Sequence, residues 1–262
     1  MKISTLLQQF CGALSVAGLC LASPAALAGP VNLVKNGGFE LNTGTGQVNH
    51  TTVVTDWSSP GGFNFVFAPG TADTTGSSSW FDGPNDMPVK LWGANNGGDN
   101  ALAQSADGGY FLAADGAYGV QAITQMISGL EVGQTYKLSF EWGAAQQYLF
   151  HGDTQEWWKV SIGDNNFQTD VYNLKQHSSS SWMQEAFFFT ATKTDELLSF
   201  LAAGTPEGFP PFSLLDGVSL VATGDNTTVV VPVPAPSTWL TTVGGLALLG
   251  AVLRRRRKSG AA

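Results

Sequence analysis

Four acidic side chains near the middle of the chain have the chemistry of a glycoside hydrolase site. Such enzymes place two carboxyl groups roughly 5–10 Å apart in a cleft. His151 precedes one of these acids by two residues and is a candidate metal ligand. The sequence has no G-x-S-x-G elbow, H-E-x-x-H motif or phosphate-binding loop. We therefore predict a protein that is not an enzyme, with a hydrolase as the third choice. The acids concerned are Glu141, Asp153, Glu156 and Asp164.

Aromatic side chains in the same region favour the binding of a carbohydrate. Strand alternation is expected to bury Trp158 and to turn Trp157 outward. An exposed ring can stack on the apolar face of a sugar, while planar polar groups bind its hydroxyls. Tyr148 and Glu156 lie close in sequence and are predicted to line the same rim. The alternative is that such aromatics fill gaps between sheet and loops. Second-choice platforms are Trp80 and Trp92.

The elements that position these side chains are predicted to be β-strands. Short runs of Val, Phe, Tyr, Thr and Trp are separated by clusters of Gly, Asn, Asp and Ser. In residues 135–142, an apolar set alternates with a polar set. Several half-buried strands of this kind predict an all-β, two-sheet sandwich. The apolar set is Tyr136, Leu138, Phe140 and Trp142.

Later segments are predicted to supply the remaining core strands. Residues 187–189 and 197–203 have the composition of strands buried on both faces, or nearly so. Asp216 shares the parity of a last inward row and is therefore expected to point inward among apolar side chains. Residues 42–107 are rich in loops, and few strands can be assigned there. The last inward row is Phe212, Leu214, Val218 and Leu220.

The first 28 residues have the pattern of a secretory signal peptide. A basic start is followed by an apolar run, and Ala26 and Ala28 form the small-x-small cleavage pattern. Cys11 and Cys20, the only cysteines, both lie in this segment. We therefore predict an exported mature domain at residues 29–224 that has no disulfide and depends on its core, on bound metal or on both.

The charge of the chain between the signal peptide and the C-terminal basic block is strongly negative. This part has six lysines and 20 acidic residues, a formal charge of −14. Such a balance excludes nucleic acid and anionic membrane surfaces as expected partners. It is compatible with calcium and with a location outside the cell.

The C-terminal region resembles a membrane-engaging segment. A proline-rich linker at 225–235 precedes a predicted sorting and transmembrane segment at 236–258. Its apolar stretch, residues 239–253, is shorter than the roughly 20 residues that span a bilayer comfortably. A basic block would stop translocation at the inner membrane. The alternatives are a transient anchor that is cut and a permanent one. The basic block is Arg254, Arg255, Arg256, Arg257 and Lys258.

Several motifs carry a family resemblance. "NLVKNGGFE" at 32–40 and "PPFSLLDGVSL" at 210–220 resemble the first and last strands of galactose-binding-like jelly rolls in carbohydrate-binding modules. Residues 107–147 resemble exported bacterial proteins that join such a domain to a PEP-CTERM tail. Alanine stands where that signal has glutamate. The residues similar to the signal are Pro234, Ala235, Pro236, Ser237, Thr238 and Trp239.

This resemblance implies a partner and a cofactor. The partner is an exosortase-type enzyme that recognises the tail. The cofactor is a structural Ca²⁺ ion, because Glu40 and Asp216 match the carboxylates that the family uses in its first and last strands. Calcium prefers six to eight oxygen ligands, and a buried carboxylate needs a counter-charge.

The sequence thus predicts an exported cell-surface or extracellular-matrix protein with a two-sheet jelly-roll sandwich that binds extracellular polysaccharide. The alternative from another class is a structural surface protein that binds no small ligand.

Overall fold

The computed structural model describes residues 31–75 and 89–224. The predicted signal peptide with Ala26 and Ala28, Trp80, the linker and the C-terminal sorting and membrane segment lie outside the described residues. Within the described ranges, no helix is long and apolar enough to cross a membrane.

The described chain consists of strands and one short helical turn. The turn is a 3-10 helix at Ala94–Asn96. The strands, in chain order, are β1 Gly46–Gln47, β2 Asn64–Phe67, β3 Phe111–Asp115, β4 Ile123–Ser128, β5 Thr135–Gln146, β6 Thr154–Ile162, β7 Asn165–Gln168, β8 Tyr172–Leu174, β9 Met183–Thr190, β10 Asp195–Thr205 and β11 Pro211–Ala222.

These strands form two sheets. The six-stranded sheet has the order β1-β2-β3-β11-β5-β9, and the second has the order β4-β10-β6-β7, with β8 also paired to β6. Every named strand pair is antiparallel. The predicted all-β, two-sheet jelly-roll sandwich is therefore confirmed.

The main hydrophobic core lies between the two sheets. The predicted inward row of β5 is buried in it, because alternate side chains of a strand point to the same face. From β6, Trp158 is fully buried, and its Nε1 donates a hydrogen bond to the Leu214 carbonyl oxygen at 2.9 Å. The alternation predicted for these two strands is confirmed.

A second hydrophobic cluster covers the outer face of the six-stranded sheet. Ala72, Val89 and Leu91, from the segment between β2 and β3, belong to this cluster. The loop-rich region therefore covers a sheet face instead of adding strands to it. The sheet residues in the cluster are Phe65, Phe67, Phe111, Ala113, Ala145, Phe212 and Leu214.

A β-bulge in β11 corrects the predicted last inward row. The pairing of β11 with β5 shifts between Asp216 and Ser219, and Gly217 has a φ of 56°. Such bulges admit one extra residue, and glycine tolerates the left-handed conformation. Phe212 and Leu214 consequently belong to the outer cluster, whereas Val218 and Leu220 belong to the core between the sheets.

Two other segments are strands as predicted, but the burial expected on both of their faces was wrong. Residues 187–189 belong to β9, an edge strand in which only Phe189 of the three is fully buried. An edge strand has one neighbour, so part of its surface stays open to solvent. In β10, burial alternates, and Leu197 is 46% exposed. That strand contacts the core through one face only.

Candidate functional site

The outer face of the five-stranded sheet carries one tryptophan among both polar and apolar side chains. Along β6, burial alternates strictly, so Gln155, Trp157 and Lys159 point away from the core. Trp157 is half-buried, unlike its fully buried neighbour Trp158. The β10 residue opposite Trp157 is the small, buried Ala203.

Two open depressions flank Trp157 along β6. The first, of about 450 Å³, includes Lys159, and the second, of about 400 Å³, includes Gln155. The two residues are four positions apart, about 13 Å along a strand. The polar residues of the first are Lys159, Ser161, Asn166, Gln168 and Ser199. Those of the second are Asp153, Thr154, Gln155, Asn173, Lys175 and Thr205.

Hydrogen bonds fix the amide groups of the second depression. Gln155 Nε2 donates to Asn173 Oδ1 at 2.7 Å, and Thr205 Oγ1 donates to Gln155 Oε1 at 3.0 Å. Asp153 forms an ion pair of 2.5 Å with Lys175, which lowers the pKa of this exposed carboxyl. The surface is therefore lined by oriented donors and acceptors, the groups that bind sugar hydroxyls.

Glu156 is not part of this surface, which corrects the sequence prediction. Its side chain is fully buried, because it has the parity of Trp158 and not that of Trp157. Thr154 Oγ1 donates to Glu156 Oε1, and Oε2 has no hydrogen-bond partner among the described residues. Burial raises the pKa of Glu156 from 4.5 to about 8.

Tyr148 lies in a different cluster from Trp157. Its ring packs edge-on against Trp92, with 4.7 Å between centroids. Trp92 is only 7% exposed, and its Nε1 donates to the Phe150 carbonyl oxygen at 2.9 Å. Trp92 therefore fills space between loops, as the alternative interpretation of the aromatics expected.

The carboxylates considered for hydrolysis do not form one cleft. Glu141 belongs to β5 in the six-stranded sheet, and Glu156 points into the sandwich from β6. Asp153 is paired with Lys175, whereas Asp164 lies in the turn between β6 and β7 and approaches Lys193 at 4.0 Å.

Sequence reasoning missed the polar residues that β7, β8 and β10 bring beside β6. Asn166, Gln168 and Asn173 reach this face through the pairing of β7 and β8 with β6. Ser199 comes from β10, nearly 40 positions after Ser161, its partner in the sheet. Strand order is a long-range property, so no local pattern signals these neighbours.

Asp216 is buried at the bulge, but on the outer side of its sheet. Ser105 Oγ donates to Asp216 Oδ2, and the Gly217 N–H donates to Oδ1 at 2.8 Å. Glu141, directly opposite on β5, accepts a hydrogen bond from the Ala106 N–H at 2.6 Å. Burial raises the pKa of Asp216 to about 7, and the negative charges of Asp107 and Glu141 add to this effect.

Glu40 contacts the segment before β3 that also binds Glu141, but four residues further along, at Tyr110. It is exposed, and its Oε1 accepts a hydrogen bond from the Tyr110 N–H at 2.6 Å. The two ends of the domain meet here, since the Val218 N–H donates to the Gly37 carbonyl oxygen at 3.0 Å. Asp107 and Glu141 influence Asp216 electrostatically, whereas Glu40 is not among the groups that shift its pKa.

The donor set at Asp216 is compatible with calcium in its chemistry. Within residues 31–75 and 89–224, no three His, Cys, Asp or Glu side chains are arranged to hold a metal by themselves. Calcium would need the Ser105 hydroxyl, backbone carbonyls or water to complete its oxygen shell. Asp216, Asp107, Glu141 and Ser105 are the nearby side chains whose oxygens could join such a shell.

Comparison with known proteins gave structural similarities only. No family model matches the chain, and no curated protein matches it. The chain is similar to TmCBM61 solved with β-1,4-galactotriose, with 16% identity, 74% of this chain and 99% of that chain covered, and a TM-score of 0.35. It is also similar to the CBM22-1 xylan-binding domain of Paenibacillus barcinonensis Xyn10C, with 11% identity, coverages of 74% and 95%, and a TM-score of 0.34.

A third similar structure belongs to an enzyme. It is arabinose-bound MgGH51 α-L-arabinofuranosidase, with 13% identity, coverages of 75% and 27%, and a TM-score of 0.40. The chain thus spans about a quarter of that protein. Similarity at these TM-scores carries no functional inference, so function is argued below from the residues of this chain.

The buried Glu156 makes stability depend on pH. The pKa of Glu156 is about 8 in the folded protein, against 4.5 for an ordinary glutamate. Its contribution to the free energy of unfolding is therefore fully present below about pH 4.5 and is lost as the pH rises toward 8. Glu156→Gln should therefore stabilise the fold by about 3–5 kcal/mol at pH 9 relative to its effect at pH 4.5. Urea unfolding at both pH values measures this difference.

Glu131→Gln is the matched control, because Glu131 is exposed. This control should change stability equally at the two pH values. An equal change for Glu156→Gln as well would show that Glu156 is charged and compensated in the folded protein.

Proposed function

We propose that the protein is an exported, non-catalytic polysaccharide-binding protein whose ligand lies across the outer face of the five-stranded sheet. The observation that carries this proposal is the half-exposed Trp157 on β6, between a depression that contains Lys159 and one that contains Gln155. The indole supplies an apolar plane for a pyranose ring, and the flanking amides and hydroxyls supply hydrogen bonds.

The other sheet supports the choice of this face. The outer side of the six-stranded sheet is closed by the second hydrophobic cluster, in which Phe65, Phe212 and Leu214 are fully buried. A polymer could reach those side chains only by displacing the covering segment. The five-stranded sheet keeps its outward side chains accessible, and Met126 is 59% exposed there.

The charge of this face also suits a neutral polymer. Its central cation, Lys159, lies beside Ser161 and Gln168 in the first depression. The anionic side chain of the second depression, Asp153, is already paired with Lys175. Recognition would therefore rest on hydroxyl hydrogen bonds and ring stacking.

Replacing the tryptophan tests this site. A glycan array, followed by calorimetry on the best ligand, measures binding. Trp157→Ala should abolish binding, because the indole surface that stacks on the sugar ring is lost. The change should cost little stability. Trp158→Ala should instead destabilise the fold by about 3–5 kcal/mol, because that ring is fully buried. Thermal unfolding measures the second effect.

Tyr118→Ala is the binding control, because Tyr118 is an exposed aromatic that packs on Phe63 and lines neither depression. It should leave glycan affinity unchanged. If the wild-type protein bound no glycan on the array, the second candidate, a structural surface protein without a small ligand, would replace this proposal.

Export and sorting form a separate part of the proposal. The signal-peptide pattern at 1–28 supports secretion, and the Pro-Ala-Pro-Ser-Thr-Trp segment followed by an apolar stretch and a basic block supports recognition by an exosortase-type enzyme. Processing at this tail would release the domain from the inner membrane to the cell surface or matrix.

Mass spectrometry of the C-terminus tests the sorting proposal. Protein recovered from the cell surface should lack residues 240–262, because the basic block would otherwise hold the chain at the membrane. Ala235→Glu, which restores the glutamate of the similar signal, should leave sorting unchanged or improve it. Surface protein that retains residues 240–262 would favour the permanent anchor.

We also propose a structural calcium ion at Asp216. The support is the buried Asp216 carboxylate, whose pKa is raised by burial and also by the nearby carboxylates of Asp107 and Glu141. Burial of a negative charge without a counter-charge is costly. A bound cation would supply the missing positive charge and would connect β11 with the segment after Gln104. Glu40, which binds the Tyr110 N–H, would be an outer member of this site.

Thermal unfolding at pH 8 in excess EDTA and then in millimolar calcium tests this ion. Calcium should stabilise the wild type by about 2.7 kcal/mol at 100 times its dissociation constant. Asp216→Asn should remove this shift, yet should not destabilise the protein in EDTA, because it removes an uncompensated buried charge.

Two further variants sharpen this test. Glu207→Gln, at an exposed position, should retain the calcium shift. Glu40→Gln decides whether Glu40 takes part, since a ligand would reduce the shift and a solvated side chain would not. If the wild type had the same thermal unfolding midpoint in EDTA and in calcium, the proposed ion would be ruled out.

A further inference from the structure

Two of the three histidines of the chain meet outside the proposed glycan surface. His151 Nδ1 and His177 Nε2 are 2.6 Å apart, and the ring centroids are 4.8 Å apart. The two residues are 26 positions apart, in the loop after β5 and the loop after β8. Two imidazole nitrogens from separate loops therefore lie within hydrogen-bonding distance of each other.

The backbone of His177 is held in an uncommon conformation. Its φ is 60°, in the left-handed region that non-glycine residues seldom adopt. The His177 N–H donates to Oε1 of the fully buried Gln146 at 3.1 Å, and the His177 carbonyl oxygen accepts from the Asp99 N–H at 2.8 Å. Such restraint of an unfavourable conformation is typical of positions where a side chain must be oriented.

The ring of Trp92 packs against both histidines, which remain accessible to solvent. The Trp92 ring lies 4.3 Å from the His177 ring and 5.9 Å from the His151 ring, between centroids. His151 is exposed and His177 half-buried, so an ion in solution can reach both nitrogens. The nearby Asp153 carboxylate is held by Lys175 and by the Gln176 N–H.

We propose that His151 and His177 form an open binding site for a late first-row divalent metal ion, with Cu²⁺ bound more tightly than Zn²⁺. Neutral imidazole is a common ligand for both ions, and the Irving–Williams order ranks copper above zinc. Binding would require the rings to rotate, because two nitrogens that ligate one ion at about 2.0–2.1 Å in a tetrahedral arrangement lie further apart than 2.6 Å. This site does not depend on the proposed polysaccharide function.

The small number of protein ligands at this site determines how tightly the ion is held. No third His, Cys, Asp or Glu of the described ranges completes a metal-holding group, so the remaining coordination positions are filled by water or by donors from outside. An ion with only two protein ligands is exchangeable, in contrast to a closed structural zinc site with four. The geometry thus differs from that of the oxygen-only environment at Asp216.

Titration of the purified, untagged full-length chain with Cu²⁺ or Zn²⁺ tests this site. Cys11 and Cys20 are first alkylated, so that thiols do not compete for the metal. We expect one ion per chain at this site, with two nitrogen ligands in the electron paramagnetic resonance spectrum of the Cu²⁺ form. His151→Asn and His177→Asn should each weaken this binding at least about tenfold, the minimum seen when even indirect ligand partners are lost.

The variants are chosen so that folding does not obscure the result. Asparagine tolerates the left-handed conformation that His177 adopts, and circular dichroism would confirm that both variants fold. His50→Asn is the matched control, since it removes the third histidine of the chain, and it should retain wild-type affinity.

Two results would overturn the proposal. The first is the absence of binding at about 1 mM metal, which would define the pair as a simple hydrogen bond between imidazoles. The second is metal affinity that His151→Asn and His177→Asn leave unchanged, which would assign the ion to other groups.

Discussion

The β-bulge at Gly217 changes which side chains of β11 enter each of the two hydrophobic clusters. β11 pairs with β3 on one side and with β5 on the other. Before the bulge, Phe212 and Leu214 pack in the cluster on the outer face, and after it Val218 and Leu220 pack between the sheets. A regular strand would keep all four residues on one face. The left-handed φ of 56° at Gly217 is what permits the change.

The same bulge explains why an acidic residue is buried at this point. Asp216 is the last residue before the change of face, so it lies on the side covered by the segment from Ser105 to Gly108. Glu141 is directly opposite on β5, and like charges in that relation repel one another. Backbone N–H groups and the Ser105 hydroxyl compensate part of this charge. The remaining negative charge is the physical reason to consider a cation there.

The covering of one sheet determines where a ligand can bind. With Val89 and Leu91 packed over the six-stranded sheet, the five-stranded sheet has the open face. On that face, Trp157 lies along β6 between Gln155 and Lys159, and β10 contributes Ser199 from a distant part of the sequence. The domain therefore has a covered apolar face on one sheet, an open face on the other, and the histidine pair on the loops after β5 and β8.

Much of the fold follows from local pattern. The alternation along β5 and β6 identified which side chains enter the core, including the contrast between Trp157 and Trp158, because the two-residue period of a strand is a property of its own backbone. The same rule indicates that Glu156 shares the buried parity of Trp158, yet nearness in sequence to Trp157 had suggested the rim. The position of a residue in the alternation decides which face its side chain occupies, because adjacent residues of a strand point to opposite faces.

The remaining features were decided by tertiary structure. Strand order brought Gln168 and Ser199 beside β6, and the bulge divided the last apolar row. The meeting of His151 with His177, and of Asp216 with Ser105, joins residues that are 26 and 111 positions apart. Such contacts depend on which sheet faces are covered and which strands are neighbours. A local period carries no information about either, because both are set by the packing of the whole chain.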